Sequence, residues 1–314
     1  MTDRPKLLLA AAFPDRDMAA FARHFTVLRL DEMADPAAFL AGPARDVTAL
    51  ATRGDIGADA ALIGALPALK IIACYGVGYD AVDVEAARAA GVAVTNTPDV
   101  LTGDVADLAV GLTLDLCRMI AVGDAHVRAG KWGTEPLPLA TRVHGRRVGI
   151  AGLGRIGAAI ARRFSAFDCP VGYYNRSPRE VAGWRAFPTL DDLAAWSEIL
   201  VVAVAGGAGT RGIVTADTLA ALGPEGFLVN ISRGTTVDEA ALIAALEERR
   251  IAGAALDVFL NEPDIDPRFL VLDNVLLQPH RASATVETRA AMGDLVLENL
   301  LAHFAGKPLP TRVV

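Results

Sequence analysis

Three glycines near the middle of the 314-residue sequence have a spacing that is typical of a ligand-binding loop. Gly152, Gly154 and Gly157 form a GxGxxG pattern between a short apolar run and an alanine-rich segment. Glycines at this spacing permit a tight turn, let backbone N–H groups approach a pyrophosphate and let a helix pack closely on a strand. The N-terminus of that helix favours an anion. We therefore predict a dinucleotide site formed by Gly152, Leu153, Gly154, Arg155, Ile156 and Gly157. A glycine-rich turn that binds nothing is the alternative.

The residues after the next predicted strand distinguish between the two nicotinamide dinucleotides. An enzyme that prefers NAD places an acidic side chain on the ribose about 20 residues after the glycine motif. Here the corresponding residues are Asn175, Arg176 and Ser177. An amide, a guanidinium and a hydroxyl suit a 2′-phosphate, which a carboxylate would repel. The sequence therefore predicts that NADP(H) is preferred and NAD(H) possible. The alternative is a simple turn through Pro178 with a solvated Arg176.

These sites need a scaffold, and the sequence predicts an α/β fold from end to end. Short apolar runs alternate with alanine-rich helical segments, which is typical of βαβ units around a parallel sheet. We predict strands at residues 6–11, 26–30, 47–52, 69–74, 92–96, 147–151, 171–174, 199–204, 227–231, 254–258 and 275–278. Helices are expected at 16–24, 36–41, 58–65, 83–90, 104–130 and 286–304.

Two series of strands predict two doubly wound parallel-sheet domains. The first is a flavodoxin-like substrate domain formed by residues 1–98 and 287–314. The second is a Rossmann dinucleotide-binding domain, residues 99–286, which includes a dimerisation arm. The turn-rich segment before residue 98 and the final helix mark the two places where the chain is expected to cross between them.

Composition limits the partners and the compartment. The sequence has 30 Lys and Arg against 37 Asp and Glu, a net charge of −7, which disfavours nucleic acid as a partner. No apolar run approaches the roughly 20 residues that span a bilayer, and the apolar run at 7–13 lacks a persuasive cleavage site. Cys74, Cys117 and Cys169 show no CxxC spacing, which suggests neither disulfides nor a metal site. We therefore expect a cytoplasmic protein that binds neither membranes nor a metal.

Six short motifs lie between residues 75 and 285. They read YGVGYD at 75–80, GLGRIG at 152–157, NISRG at 230–234, LDVF and NEP within 256–263, and PHRASAT at 279–285. With them the sequence resembles the D-isomer-specific 2-hydroxyacid dehydrogenases, in the glyoxylate/hydroxypyruvate reductase branch. Its tail, 286–309, is also similar to that of plant hydroxyphenylpyruvate reductases, which use NADPH. The resemblance implies a cleft between two domains, with Arg233, Glu262 and His280 catalytic and the Val77-Gly78 backbone on the substrate carboxylate.

The chemistry of that family needs these residue types. Hydride transfer to a 2-keto acid puts negative charge on the carbonyl oxygen, so the site needs a proton donor or cation there and an anchor for the carboxylate. The planar guanidinium of Arg233 can serve both purposes. His280 would give its proton to the developing alkoxide, and Glu262 would pair with the other ring nitrogen and favour the protonated ring.

Other residues of the predicted site each have a second interpretation. Asp257 could accept a hydrogen bond from the nicotinamide carboxamide, as the family suggests, or only cap a turn. The N–H groups of Val77 and Gly78 could form an anion nest, although a tight turn would explain the same glycines. Arg53 could bind a polar substrate tail or remain solvated. Ala205, Ile231 and Ser283 complete the predicted cofactor contacts.

The sequence departs from the family pattern beside the site. Ala282 stands where a glycine is common, and Arg281 adds a charge next to His280. Residues 204–207 replace the usual Cys-Pro pair, so we expect the Ala205 loop to meet the cofactor through its backbone.

We therefore expect an NADPH-preferring reductase of glyoxylate, hydroxypyruvate or a related 2-keto acid that forms the D-2-hydroxy acid. A phosphoglycerate-type dehydrogenase is an alternative, which the lack of an appended regulatory domain disfavours. A nicotinamide-sensing corepressor on the same scaffold is a second one, and activity assays distinguish it.

A homodimer is expected from the segment around residues 104–133. Lys131, Trp132 and Gly133 resemble the dimer arm of the family, and an exposed tryptophan is unfavourable unless a partner covers it. Packing within the same chain is the alternative.

Overall fold

The computed structural model describes residues 4–177 and 180–314, so that Pro178 lies outside the described residues. The chain divides into two compact units. The smaller unit ends at Leu101 and resumes from Ser283 to Val314, and the larger unit is Thr102–Ala282.

The smaller unit is built on a parallel sheet that, in the described part of the chain, has five strands in the order β2-β1-β3-β4-β5. This is the flavodoxin-like order. The strands are β1 (Lys6–Leu9), β2 (Thr26–Arg29), β3 (Ala49–Arg53), β4 (Ile71–Tyr75) and β5 (Ala93–Thr95). The helices are α1 (Asp15–His24), α2 (Pro36–Ala41), α3 (Ala60–Gly64), α4 (Val84–Ala89) and, from the end of the chain, α11 (Val286–Phe304). Asp35, Asp59 and Asp83 cap the N-termini of α2, α3 and α4, where each side chain accepts a backbone N–H of the first turn.

The larger unit contains a second parallel sheet, with seven strands among the described residues. The strands are β6 (Val148–Ala151), β7 (Val171–Tyr174), β8 (Arg185–Ala186), β9 (Ile199–Val202), β10 (Phe227–Asn230), β11 (Gly253–Leu256) and β12 (Val275–Leu277). Their order, β12-β11-β10-β9-β6-β7-β8, is the doubly wound order of a Rossmann sheet with one added strand. The helices are α5 (Thr102–Arg118), α6 (Ile120–Arg128), α7 (Arg155–Ser165), α8 (Leu190–Trp196), α9 (Ala216–Leu222) and α10 (Glu239–Glu247). The predicted fold class is confirmed for both units.

Parallel strands bring six loops of the larger unit that carry predicted site residues to one edge of its sheet. The central strands are apolar and fully buried, as Ile150, Val201 and Leu228 illustrate. Because all strands run in the same direction, the segments that follow β6, β7, β9, β10, β11 and β12 leave at the carboxyl edge, where α/β sheets bind ligands. The glycine motif, Arg233 and His280 all lie in these segments.

The prediction of one continuous helix over residues 104–130 is wrong. Met119 adopts a left-handed backbone conformation (φ 57°), which ends α5 and separates it from α6. The side chain of Asp115 accepts the N–H of Ala121 at 2.8 Å and so caps the second helix. Apolar spacing alone carries no sign of this break, because the pattern continues across it.

In the described part of the chain, none of the helices is both long and apolar enough to cross a membrane.

Candidate active site

The glycine motif forms a loop whose three glycines meet different surroundings. Gly152 has a positive φ of 97°, and a Cβ there would lie 2.8 Å from the backbone nitrogen of Val204. A Cβ on Gly157 would lie 2.0 Å from the carbonyl oxygen of Gly152, so only glycine lets α7 pack this closely. A Cβ on Gly154 would meet no described atom within 4 Å, and Gly154 is the residue before the first turn of α7. The loop is closed on the protein side and open at the helix N-terminus, which fits a dinucleotide pyrophosphate.

Asn175 holds this loop from the neighbouring strand. Its side-chain oxygen accepts the N–H of Leu153 at 2.8 Å. Asn175, which occupies the position of the acidic residue in NAD enzymes, therefore positions the glycine loop. The sequence does not reveal this hydrogen bond. The N–H groups of Gly154, Arg155 and Ile156 come next in the chain, at the start of α7.

Arg176 and Ser177 are exposed, and the guanidinium of Arg176 lies beside a second glycine-rich loop, residues 205–210. A Cβ on Gly209 would lie 3.0 Å from Nη1 of Arg176, which shows that the guanidinium rests against this loop. The loop closes on itself because Thr210 donates its hydroxyl to the carbonyl of Ala205 at 2.6 Å. A guanidinium and a hydroxyl on consecutive exposed residues suit a phosphate monoester.

The backbone around Arg233 is held by buried polar side chains. Asn230, at the end of β10, accepts the N–H of Ser232 at 3.0 Å and donates to the carbonyl of Arg233 at 3.1 Å. Thr236 donates its hydroxyl to the same carbonyl at 2.6 Å. Gly234 makes the turn possible, because a Cβ there would lie 1.9 Å from the carbonyl carbon of Phe259. The site predicted from the sequence does not include Asn230 or Thr236, which fix Arg233 through its main chain.

Glu262 and His280 are brought together by the loops after β11 and β12. Oε2 of Glu262 lies 2.7 Å from Nδ1 of His280, and Oε1 accepts the N–H of Phe259 at 2.9 Å. Burial acts to raise the pKa of Glu262, but the hydrogen bond and charge of His280, the N–H of Phe259 and the charge of Arg233 together lower that pKa. An ionised carboxylate can only accept, so Nδ1 carries the hydrogen of this bond and Nε2 is left for chemistry.

Asp257 is fully buried directly after β11. Its Oδ1 accepts the N–H of Arg281 at 2.6 Å and its Oδ2 accepts the N–H of Ala282 at 2.9 Å. Burial raises the pKa of Asp257, and these two hydrogen bonds oppose the shift. The turn-capping interpretation describes these contacts, and contact with a nicotinamide stays a prediction.

In the smaller unit, the loop after β4 is fixed by the segment that follows β5. The N–H of Gly76 is hydrogen-bonded to the carbonyl of Cys74 at 3.1 Å and to the hydroxyl of Thr97 at 3.0 Å. Asn96 donates its amide to the carbonyl of Val77 at 2.9 Å. The predicted anion nest therefore has to be formed by the N–H groups of Val77 and Gly78. Asn96 and Thr97, which hold the backbone of this loop, are not among the site residues that the sequence predicts.

The remaining predicted residues are placed as follows. Arg53 forms a bidentate ion pair with Asp55, in which Nε lies 3.0 Å from Oδ1. Its guanidinium therefore has a partner within its own loop. Ala205 is exposed and Ile231 is buried at the carboxyl edge of the larger sheet. Ser283 begins the second segment of the smaller unit.

A Rossmann sheet, a glycine loop and a carboxylate-histidine pair at the carboxyl edge define the class of oxidoreductases that use a nicotinamide dinucleotide. Residues 110–282 match the family described as "D-isomer specific 2-hydroxyacid dehydrogenase, NAD binding domain". The chain belongs to this family, which confirms the resemblance that its motifs predict.

Relatives cover nearly the whole chain. It is 48% identical over 268 residues to a 2-ketogluconate reductase of Gluconobacter oxydans (strain 621H), covering 85% of this chain and 86% of the relative. A hydroxyphenylpyruvate reductase of Plectranthus scutellarioides is 49% identical over 276 residues, 88% of each chain. The crystal structure of an NADPH-dependent glyoxylate/hydroxypyruvate reductase of Sinorhizobium meliloti, in complex with NADP and malonate, has a TM-score of 0.94 and 46% identity. That comparison covers 99% of this chain and 97% of the other.

Proposed function

We propose that the protein reduces a small 2-keto acid, such as glyoxylate or hydroxypyruvate, to the D-2-hydroxy acid and prefers NADPH. The 2.7 Å contact of Glu262 with Nδ1 of His280 carries this proposal, because it leaves Nε2 as a proton donor at the carboxyl edge of the sheet. Support comes from the relatives, whose names cover glyoxylate, hydroxypyruvate, hydroxyphenylpyruvate and 2-ketogluconate as substrates.

Each proposed residue has a separate task. NADPH, held by the glycine loop and Arg176, would supply a hydride to the keto carbon. Nε2 of His280 gives a proton to the carbonyl oxygen, so that the product leaves as a neutral alcohol. Arg233 stabilises the charge that develops on that oxygen and binds the substrate carboxylate, which the N–H groups of Val77 and Gly78 also bind. In the oxidative direction His280 takes the proton back.

The cofactor preference rests on the residues after β7. Arg176 and Ser177 would donate to the 2′-phosphate of NADPH, while Asn175 holds the glycine loop. The S. meliloti reductase, whose structure contains NADP, supports this assignment.

A substrate panel tests the proposal. We expect kcat/KM for glyoxylate, hydroxypyruvate and 2-ketogluconate to be measurable with NADPH and lower with NADH. Equal or better use of NADH would contradict the cofactor preference. A protein that binds NADPH but reduces none of these acids would contradict the enzymatic proposal and favour a sensor on the same fold.

We also propose a homodimer formed by the segment around α6. In this segment Ile120, Val127, Trp132 and Leu139 are apolar and exposed, with 81% of Trp132 accessible. A self-complementary contact would cover them. Sedimentation at micromolar concentration is expected to show a dimer that Trp132→Glu weakens, and a monomeric unaltered protein would contradict the assignment.

A cytoplasmic location is the last part of the proposal and rests on the sequence features alone. Cell fractionation tests it, and recovery with the membrane fraction would contradict it.

A further inference from the structure

His280 has an unusual main-chain conformation. Its φ of 51° lies in the left-handed region, which residues with a side chain rarely adopt. Such a conformation persists only where the surrounding structure holds it. On the N-terminal side, the N–H of His280 donates to the carbonyl of Gln278 at 3.1 Å.

On the C-terminal side, the backbone is held by one buried carboxylate. The two residues that directly follow His280, Arg281 and Ala282, donate their N–H groups to the two oxygens of Asp257, at 2.6 Å and 2.9 Å. Asp257 is 0% exposed and follows the last residue of β11, the strand next to β12. A buried carboxylate that accepts two consecutive N–H groups fixes the direction of that peptide segment.

Two carboxylates therefore act on His280 from different sides. Glu262 contacts the imidazole itself, at Nδ1. Asp257 reaches no atom of the ring through a hydrogen bond that the structure records, but it holds the main chain from which the ring projects.

We propose that Asp257 is a positioning residue for His280: its carboxylate holds residues 281 and 282 so that Nε2 of His280 points to the substrate carbonyl. This inference rests on the proposed function, because it assumes that His280 is the proton donor. It assigns Asp257 a task in proton transfer that does not depend on contact with the nicotinamide.

Asp257→Asn tests this with little change in volume. An amide has one acceptor oxygen, and its NH₂ group would face a backbone N–H, so one of the two hydrogen bonds is lost. We expect kcat to fall about 10- to 100-fold, because a small misplacement of a catalytic group has effects of this size. Asp257→Ala loses both bonds and should lower kcat further. The dissociation constant of NADPH, measured by fluorescence, should stay the same in the Asn variant.

A second measurement does not depend on turnover or coenzyme. In ¹⁵N-histidine NMR of the protein without NADPH, recorded at alkaline pH where an imidazole is neutral, the ring of His280, assigned with His280→Gln, should be a single tautomer with hydrogen on Nδ1. In Asp257→Asn we expect exchange between tautomers, because the ring no longer stays at Glu262. A general loss of stability would alter the spectra of other histidines as well as that of His280.

Asn274→Ala is the matched control. Asn274 is also buried beside β12, but at the opposite end of the strand, where it donates to the carbonyl of Leu246 at 3.2 Å. Its replacement should lower the midpoint of thermal unfolding and leave both kcat and the His280 spectrum unchanged.

The outcomes separate this inference from the proposed function. Weaker NADPH binding with normal kcat in Asp257→Asn would overturn the positioning role and favour a nicotinamide contact. Normal kcat, normal NADPH binding and an unchanged spectrum would overturn both roles. If the unaltered protein reduces no 2-keto acid, the proposed function fails instead, and the inference fails with it.

Discussion

The two ends of the proposed coenzyme site in the larger unit are built differently. At the catalytic end, the buried side chains of Asn230 and Asp257 form hydrogen bonds with the main chain at Arg233 and directly after His280. At the ribose end, Arg176 is exposed and rests against a glycine loop. Proton transfer depends on position at the scale of a hydrogen bond, whereas a phosphate can be recognised by a charge on a flexible side chain. The comparison predicts that changes at the first end alter kcat and changes at the second alter KM for NADPH.

The largest effect is expected at the catalytic end, from His280→Gln. Without the proton donor, kcat should fall about 10²–10⁴-fold, the range for loss of a positioned general acid. NADPH binding should be retained, because no part of the glycine loop changes. His144→Gln, at an exposed histidine in the same unit, is the control and should have normal kinetics. Near-normal kcat in His280→Gln, or loss of NADPH binding, would show that the proton donor is a different residue.

Arg176→Ala tests the ribose end. Removal of a charge-assisted hydrogen bond should raise KM for NADPH about 10- to 100-fold, with kcat and the KM for NADH unchanged. Arg185→Ala removes another exposed guanidinium of the same unit, one that stacks on the ring of Phe187, and it should leave both values as they are. If Arg176→Ala lowered kcat instead, the ribose end would contribute to the chemical step, and the division between kcat and KM would be contradicted.

Glu262→Gln should change the pH dependence of reduction rather than abolish it. Since the hydrogen bond and charge of His280 lower the pKa of Glu262, the carboxylate stays ionised at neutral pH, and its pairing with His280 is lost only as the pH falls through that lowered pKa. The acid limb of the kcat profile that follows this protonation should therefore be absent in the variant. An amide oxygen can still accept from Nδ1, which should preserve activity at lower pH.

Glu239→Gln is the control for this change. Glu239 accepts the N–H of Leu260 at 2.9 Å and thus contacts the same loop from another direction. Its replacement should leave the acid limb in place. An acid limb that persists in Glu262→Gln would mean that this limb reports a group other than Glu262.

The smallest effect is expected from Gly209→Ala. Its Cβ would lie 3.0 Å from Nη1 of Arg176, and a flexible guanidinium can shift by the few tenths of an ångström needed. KM for NADPH should therefore rise only a few-fold. Gly111→Ala, where a Cβ would meet no described atom within 4 Å, should have no effect. A large loss at Gly209 would show that the ribose end is as tightly constrained as the catalytic end.

The sequence predicts the larger features of this molecule and misses the contacts that position its side chains. A buried strand is a short apolar run, and β7 is predicted with its observed bounds. A long amphipathic pattern predicts a helix, and α11 is also predicted with its observed bounds. The helix break at Met119 depends on one left-handed residue and is not visible in the apolar spacing.

Contacts between distant segments leave no local pattern. Asp257 meets residues 281 and 282 only because β11 and β12 are neighbours in the sheet. The contact of Asn175 with Leu153 depends in the same way on the pairing of β6 with β7. Predicting these partners requires the strand order, which the separate motifs do not contain.

The most direct test of the account follows the hydride itself. The protein would be given NADPH with deuterium on the transferred position of the nicotinamide, together with hydroxypyruvate, and the product analysed by mass spectrometry and chiral chromatography. We expect one deuterium at C2 of the product, in the D configuration, and loss of that product with His280→Gln. Product without deuterium at C2, or product of the L configuration, would contradict the claim that this site transfers a hydride to a 2-keto acid.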